Sequence, residues 1–162
     1  MKKLVIIFFT FLIIFFLGKS GSRYIGVNYE IEEQKLSNFK KIIQFYARHK
    51  EYKKLVNEIN GKSKNKEQNV LNLTYWIYKN IKKITKKDDI IDNHPWTIVK
   101  RGIGTDDQFS DLLTVLLVHN GIDAFFYNKI DSVWHPLTFF SINKKDWLII
   151  DPYYGIYFHN SL

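Results

Sequence analysis

The strongest constraint on this chain lies between Arg101 and Gly155. Thr105-Asp106-Asp107-Gln108 is a Thr-x-x-Gln capping box, which places Thr105 at N-cap, Asp106 at N1, Asp107 at N2 and Gln108 at N3 of a helix. Phe109, Leu112, Leu113, Leu116 and Leu117 then repeat at helical spacing, and Asn120-Gly121 stops the run. A stripe that dense has to be buried. The chain supplies a partner in four short apolar segments: Ile122–Tyr127, Trp134–Ile142, Trp147–Ile150 and an edge segment Tyr153–Phe158. Helices first and strands afterwards predict an α+β domain, with this helix packed on an antiparallel sheet.

The upstream half reads as helical. Leu36, Phe39, Ile42, Ile43, Tyr46, Leu55 and Ile59 recur mostly at spacings of three and four, which predicts one long helix or two over Ile31–Ile59. Gly61 sits where a C-cap belongs. A second helix is expected over Glu67–Ile84, with Val70, Leu71, Leu73, Trp76, Ile77 and Ile81 inward. Residues 21–30 read as a connector with a short extended piece at Tyr24–Tyr29. Pro95 argues against helix, and Thr97–Val99 reads as a short strand leading into the glycine turn. The expected organisation is an N-terminal segment 1–20, a helical part 21–93 and a core 94–162, the last two forming one globular domain over 21–162. At 162 residues and 46% hydrophobic the chain suits a single core.

Met-Lys-Lys followed by an apolar run from Leu4 to Leu17 has the form of a signal peptide. About 14 residues is short of the ~20 that a spanning helix needs. Gly18-Lys19-Ser20 offers small residues for cleavage, and an uncleaved single-pass anchor is the equal alternative. Either way the expectation is export to the cell envelope, as a membrane-anchored or a secreted, periplasmic protein. The formal charge is +8. Lys2, Lys3 and Lys19 account for three of the 24 basic residues, which leaves 21 against 16 acids beyond residue 20. Lysines along helices read as solvated faces. Without aromatic–basic interleaving, no nucleic-acid partner is expected. An anionic membrane surface or wall polymer is the milder electrostatic partner.

The chain contains no cysteine. That excludes disulfides, thiolate metal sites and a lipidated cysteine anchor. It matters most beside the following pattern: Gly104-Thr105-Asp106-Asp107-Gln108, Gly121-Ile122, His135, Trp147 and Asp151-Pro152-Tyr153-Tyr154-Gly155. In order and spacing, residues 94–158 resemble the transglutaminase-like domain of the papain-like cysteine peptidase fold, and most closely the small bacterial branch found among cell-surface polysaccharide genes. The resemblance implies a nucleophilic cysteine at the helix start, a histidine base and an orienting aspartate. Here Asp106 stands in the cysteine position, and His135 and Asp151 align with the base and the acid. Gly104, Thr105, Gln108 and Trp134 are expected to line the cleft. No cofactor is implied, and no spacing among these residues is diagnostic of a metal site.

An aspartate at N1 meets the same helix field that activates a thiol, worth about 0.3–1 kcal/mol to its carboxylate. An ionised Asp106 near His135 favours a protonated imidazole, the wrong state for a general base. The expected site is an ion-pair array, Asp106–His135–Asp151, unable to form a thioester. Three readings follow. One is a non-catalytic binding or scaffold module that engages a cell-envelope protein or polysaccharide component. The second is a hydrolase or acyl transferase with altered chemistry, using Asp106 as carboxylate nucleophile or water activator and His135 as acid. The third is an exported interaction domain that contacts its partner through the helix at 31–59.

Overall fold

The computed structural model describes residues 2–25, 32–84, 94–130 and 133–158. They fall into two compact units, one within Met1–Arg48 and the other from the described parts of His49–Lys87 and Asn93–Leu162.

In the first unit, helix α1 (Lys2–Leu17) is followed by strand β1 (Lys19–Ile25), which pairs antiparallel with β2 (Glu32–Ser37). Helix α2 (Asn38–Asn60) starts here. The C-terminal end of α1 is tied to the start of α2, because the Asn38 side chain donates to Phe15 O at 2.8 Å and the rings of Phe16 and Phe39 meet edge to face. The sequence expectation of helix from Ile31 is corrected: residues 32–37 are a strand. Glu32-Glu33-Gln34-Lys35 has little intrinsic strand preference, and pairing with β1 across the chain overrides it. Of the extended piece expected at Tyr24–Tyr29, residues 24–25 lie in β1 and 26–29 lie outside the described residues. Leu36 is buried, whereas Phe39, Ile42, Ile43 and Tyr46 are exposed, so the apolar stripe read from the start of α2 is not a core face in this chain. Among the described residues no helix is long and apolar enough to cross a membrane.

The second unit holds the expected core. Helix α3 (Lys66–Asn80) is N-capped by the Asn65 side chain on the Gln68 N–H, and it ends four residues earlier than expected because Ile81 is already extended. Strand β3 (Lys82–Lys83) pairs in parallel with β4 (Ile103–Gly104). Between them lies helix α4 (Pro95–Arg101), where a strand was expected. The physical reason is that Pro95 occupies the first turn, where its missing N–H has no helical acceptor to lose. His94 caps this helix through Nδ1, which accepts the Trp96 N–H. Gly102 then closes it in the left-handed region at φ 68°.

Helix α5 (Asp106–His119) follows, and its five predicted core residues Phe109, Leu112, Leu113, Leu116 and Leu117 are each 0% exposed. Burying such side chains contributes roughly 1.5–3 kcal/mol apiece. The sheet order is β5 (Asp123–Ile130), β6 (Val133–Ser141), β7 (Leu148–Asp151) and β8 (Ile156–Phe158), antiparallel throughout. Phe140 of β6 and Ile150 of β7 meet the α5 stripe, and Val70, Leu73, Ile77 and Ile98 from α3 and α4 close the same core. The α+β expectation is met, with the helix on the sheet.

Candidate functional site

Asp106 opens α5, and the turn in front of it is braced from several directions. Gln108 Oε1 accepts the Thr105 N–H at 3.2 Å, which is the predicted reach-back of the capping box. The same oxygen accepts from Arg101 Nη2 at 2.6 Å, and Arg101 Nε donates to Ile103 O at 2.8 Å. The Thr105 hydroxyl donates to the Asp107 carboxylate. Gly104 packs closely against the core: a Cβ there would lie 3.4 Å from methyl groups of both Ile81 and Ile98, at the near edge of ordinary van der Waals contact. Thr105 and Gln108, expected to line the cleft, are 3% exposed each, so they shape the turn from beneath.

The Asp106 carboxylate is engaged at both oxygens. Oδ1 accepts the Asp107 N–H at 2.9 Å, and Oδ2 accepts the indole Nε1–H of Trp134 at 3.1 Å. Trp134 is the residue before His135 on β6. The helix start and the histidine strand are therefore joined at this level through a side chain that was expected only to line the cleft.

His135 Nε2 lies 3.3 Å from Asp151 Oδ2, the histidine side chain being 42% exposed and the aspartate 2%. The other oxygen of Asp151 accepts two backbone N–H groups, from Tyr153 at 2.9 Å and Tyr154 at 3.0 Å. Asp151 thus holds the turn after β7 and the imidazole at once. With Nε2 directed at Asp151, Nδ1 is the nitrogen through which His135 would exchange a proton with any further group.

Two buried hydrogen bonds fix α5 against β6 close to this pair. Ser110 Oγ donates to Pro136 O at 3.2 Å, and Thr138 Oγ1 donates to Ser110 O at 3.1 Å. Both side chains are fully buried. They set the height of Asp106 on one element against His135 on the other.

Aromatic rings continue the site. Tyr153 packs edge to face on Phe109 and on Tyr154. Burial raises the Tyr153 phenol above its ordinary pKa, and the charges of Tyr154 and Asp106 add to the rise. Among the described residues no three His, Asp or Glu side chains converge to hold a metal ion. His159 lies outside the described residues. Sequence reasoning missed Arg101 as the brace of the turn and Lys83 as a neighbour of Tyr153. The visible signal for Arg101 was its position one residue ahead of the left-handed Gly102.

A model of the transglutaminase-like superfamily matches residues 53–152. A solved candidate cysteine protease from Cytophaga hutchinsonii superposes with a TM-score of 0.53 at 23% identity, over 75% of this chain and 44% of that one. A candidate protease from Parabacteroides distasonis gives 0.48 at 13% identity over 86% and 40%, too distant to carry an argument. The chain thus spans less than half the length of these two proteins. No functionally curated protein matches it.

Proposed function

Because the chain belongs to the transglutaminase-like superfamily, we propose that it keeps the superfamily's cleft as a non-catalytic binding or scaffold module. One observation carries this reading: Asp106, which sequence order aligns with the nucleophile, is a carboxylate whose two oxygens both accept hydrogen bonds, from the Asp107 N–H and the Trp134 indole. A carboxylate whose two oxygens are both engaged in this way is a poor nucleophile. The chain has no thiol to replace it. What the site offers is a hydrogen-bonded carboxylate and, one residue beyond its Trp134 partner, an imidazole–carboxylate pair, which suits recognition of a polar partner.

The proposed setting is the cell envelope, with an envelope protein or polysaccharide component as partner and an anionic membrane surface as a further contact. Support comes from Lys2 and Lys3 in front of the apolar α1, whose side chains from Leu4 to Phe15 are largely exposed in this chain. N-terminal sequencing of the mature protein and carbonate extraction of membranes distinguish a cleaved signal from a retained anchor. Recovery of an unprocessed chain in the cytosolic fraction would overturn the envelope assignment.

The site reading is tested by Asp106→Cys. A cradle built for a nucleophile yields a thiol that alkylates rapidly at mildly acidic pH, whereas an ordinary slow thiol rejects the geometry. The competing reading, a hydrolase with altered chemistry, draws on the retained His135–Asp151 pair. It would be established by wild-type turnover of amide, ester or glycan substrates that both Asp106→Asn and His135→Ala abolish.

A further inference from the structure

Lys83 is held by three tyrosines. Its ammonium lies 4.7 Å from the ring centre of Tyr78, 4.9 Å from Tyr153 and 5.7 Å from Tyr154. The three rings come from two places: Tyr78 from the end of α3, and Tyr153 and Tyr154 from the turn that Asp151 fixes. Lys83 itself is placed by β3, where it pairs with Gly104, two residues before Asp106. Tyr153 also lies in the field of Asp106. Lys83 and the Asp106 carboxylate therefore both act on Tyr153.

Three ring faces around one ammonium immobilise a side chain that otherwise samples many rotamers. They do so without neutralising it: among the described residues no carboxylate lies within ion-pair distance of Lys83. Tyr78 and Tyr154 are 50% and 61% exposed, so the cage opens to solvent. A positioned cation with no ion-pair partner among the described residues, in a cage open to solvent, favours an anion, because its ordering is complete before the ligand arrives.

We propose that Lys83 in its tyrosine cage is an anion-binding subsite of this cleft, taking a carboxylate or phosphate group of the partner molecule. The subsite extends the binding function proposed above and rests on that reading. It assigns a polarity to the ligand, whose anionic group lies at Lys83 and whose uncharged or cationic part lies toward Asp106.

The test uses the full chain carrying Asp106→Cys and two alkylating agents, neutral iodoacetamide and anionic iodoacetate. Iodoacetamide reports the cradle alone. The iodoacetate-to-iodoacetamide rate ratio reports local positive charge. Adding Lys83→Gln should lower that ratio roughly two- to five-fold at low ionic strength, as expected for the loss of one nearby charge, and the difference should collapse in 1 M salt. Lys83→Arg should retain it. A ratio unmoved by Lys83→Gln overturns the subsite while leaving the cradle intact. A thiol slow toward both reagents counts against the cradle, and the subsite is then judged on wild type. There, the Lys83 side-chain resonance of 13C-lysine-labelled protein should shift saturably with inorganic phosphate. A linear shift shared with exposed Lys64 and Lys79 overturns the proposal.

Discussion

The indole Nε1 of Trp134 donates to Asp106 Oδ2 across 3.1 Å, joining the residue beside His135 on β6 to the first residue of α5. Both partners come from the candidate site, and the bond is a charge-assisted one. Replacing Asp106 with Ala should move the Trp134 indole N–H resonance upfield and leave those of Trp76, Trp96 and Trp147 in place. Trp134→Phe should cost about 1 kcal/mol or less in urea unfolding, since Trp134 is 43% exposed and water can replace the lost donor. An unshifted resonance in Asp106→Ala contradicts the assignment.

His119 makes acid destabilising. Its Nδ1 donates to Val115 O at 2.7 Å, so its Nε2, 3.1 Å from His49 Nδ1, is the acceptor in that pair. Burial lowers its pKa below 6.5. The Val115 hydrogen bond opposes that, and the charges of His49 and Lys53 reinforce it. The unfolded chain then binds the proton more readily. The stability this histidine contributes is present above pH 6.5 and is lost as pH falls from there toward the lowered value. Urea midpoints should fall over that interval in wild type, and the slope should flatten in His119→Gln.

Asp111 acts in the opposite sense. Burial, with the neighbouring Asp107 carboxylate, raises its pKa to about 6. The folded chain holds this proton between about pH 4 and 6, where the unfolded chain has released it, so ionised Asp111 destabilises the fold at neutral pH. Asp111→Asn should raise stability at pH 7 by at most about 3 kcal/mol, from ~1.4 kcal/mol per pKa unit. The gain should vanish near pH 4. Calorimetric melting at the two pH values checks it, and equal gains at both would refute the assignment.

These two groups lie on α5, the element most legible in the sequence. Its capping box, its apolar spacing and its Asn120-Gly121 stop are local signals, and each holds in the structure. The sheet was readable for the same reason, because four aromatic or apolar runs lay between turn residues. The failures were of two kinds. At α4, proline was weighed as a helix breaker although its position at the first turn makes it a helix starter. At β1–β2, pairing between segments of unremarkable composition decided the outcome, and no local period announces that. The site divided similarly. The alignment of Asp106, His135 and Asp151 rests on order and spacing, and of the three the structure pairs His135 with Asp151. The Trp134 bond and the Lys83 cage depend on which way side chains lie across three elements.

Ser110 and Thr138 form a reciprocal clamp whose worth is measurable as a coupling. Each buried hydrogen bond should cost about 1–3 kcal/mol to remove, because a buried partner loses its bond. In a double-mutant cycle of Ser110→Ala and Thr138→Val, the two losses should fall short of additivity by more than 0.5 kcal/mol. Additive losses would mean that the two bonds act independently and do not jointly set the height of α5 on β6.

Asp151 carries a consequence for substitution tolerance. The turn needs its Oδ1 for two backbone N–H groups, a duty that no turnover depends on. In a saturation library selected only for folding, position 151 should therefore reject nearly every replacement, while position 135 accepts many. An acid retained at this point in a diverging lineage is thus a poor marker of surviving catalysis, and the histidine is the informative one.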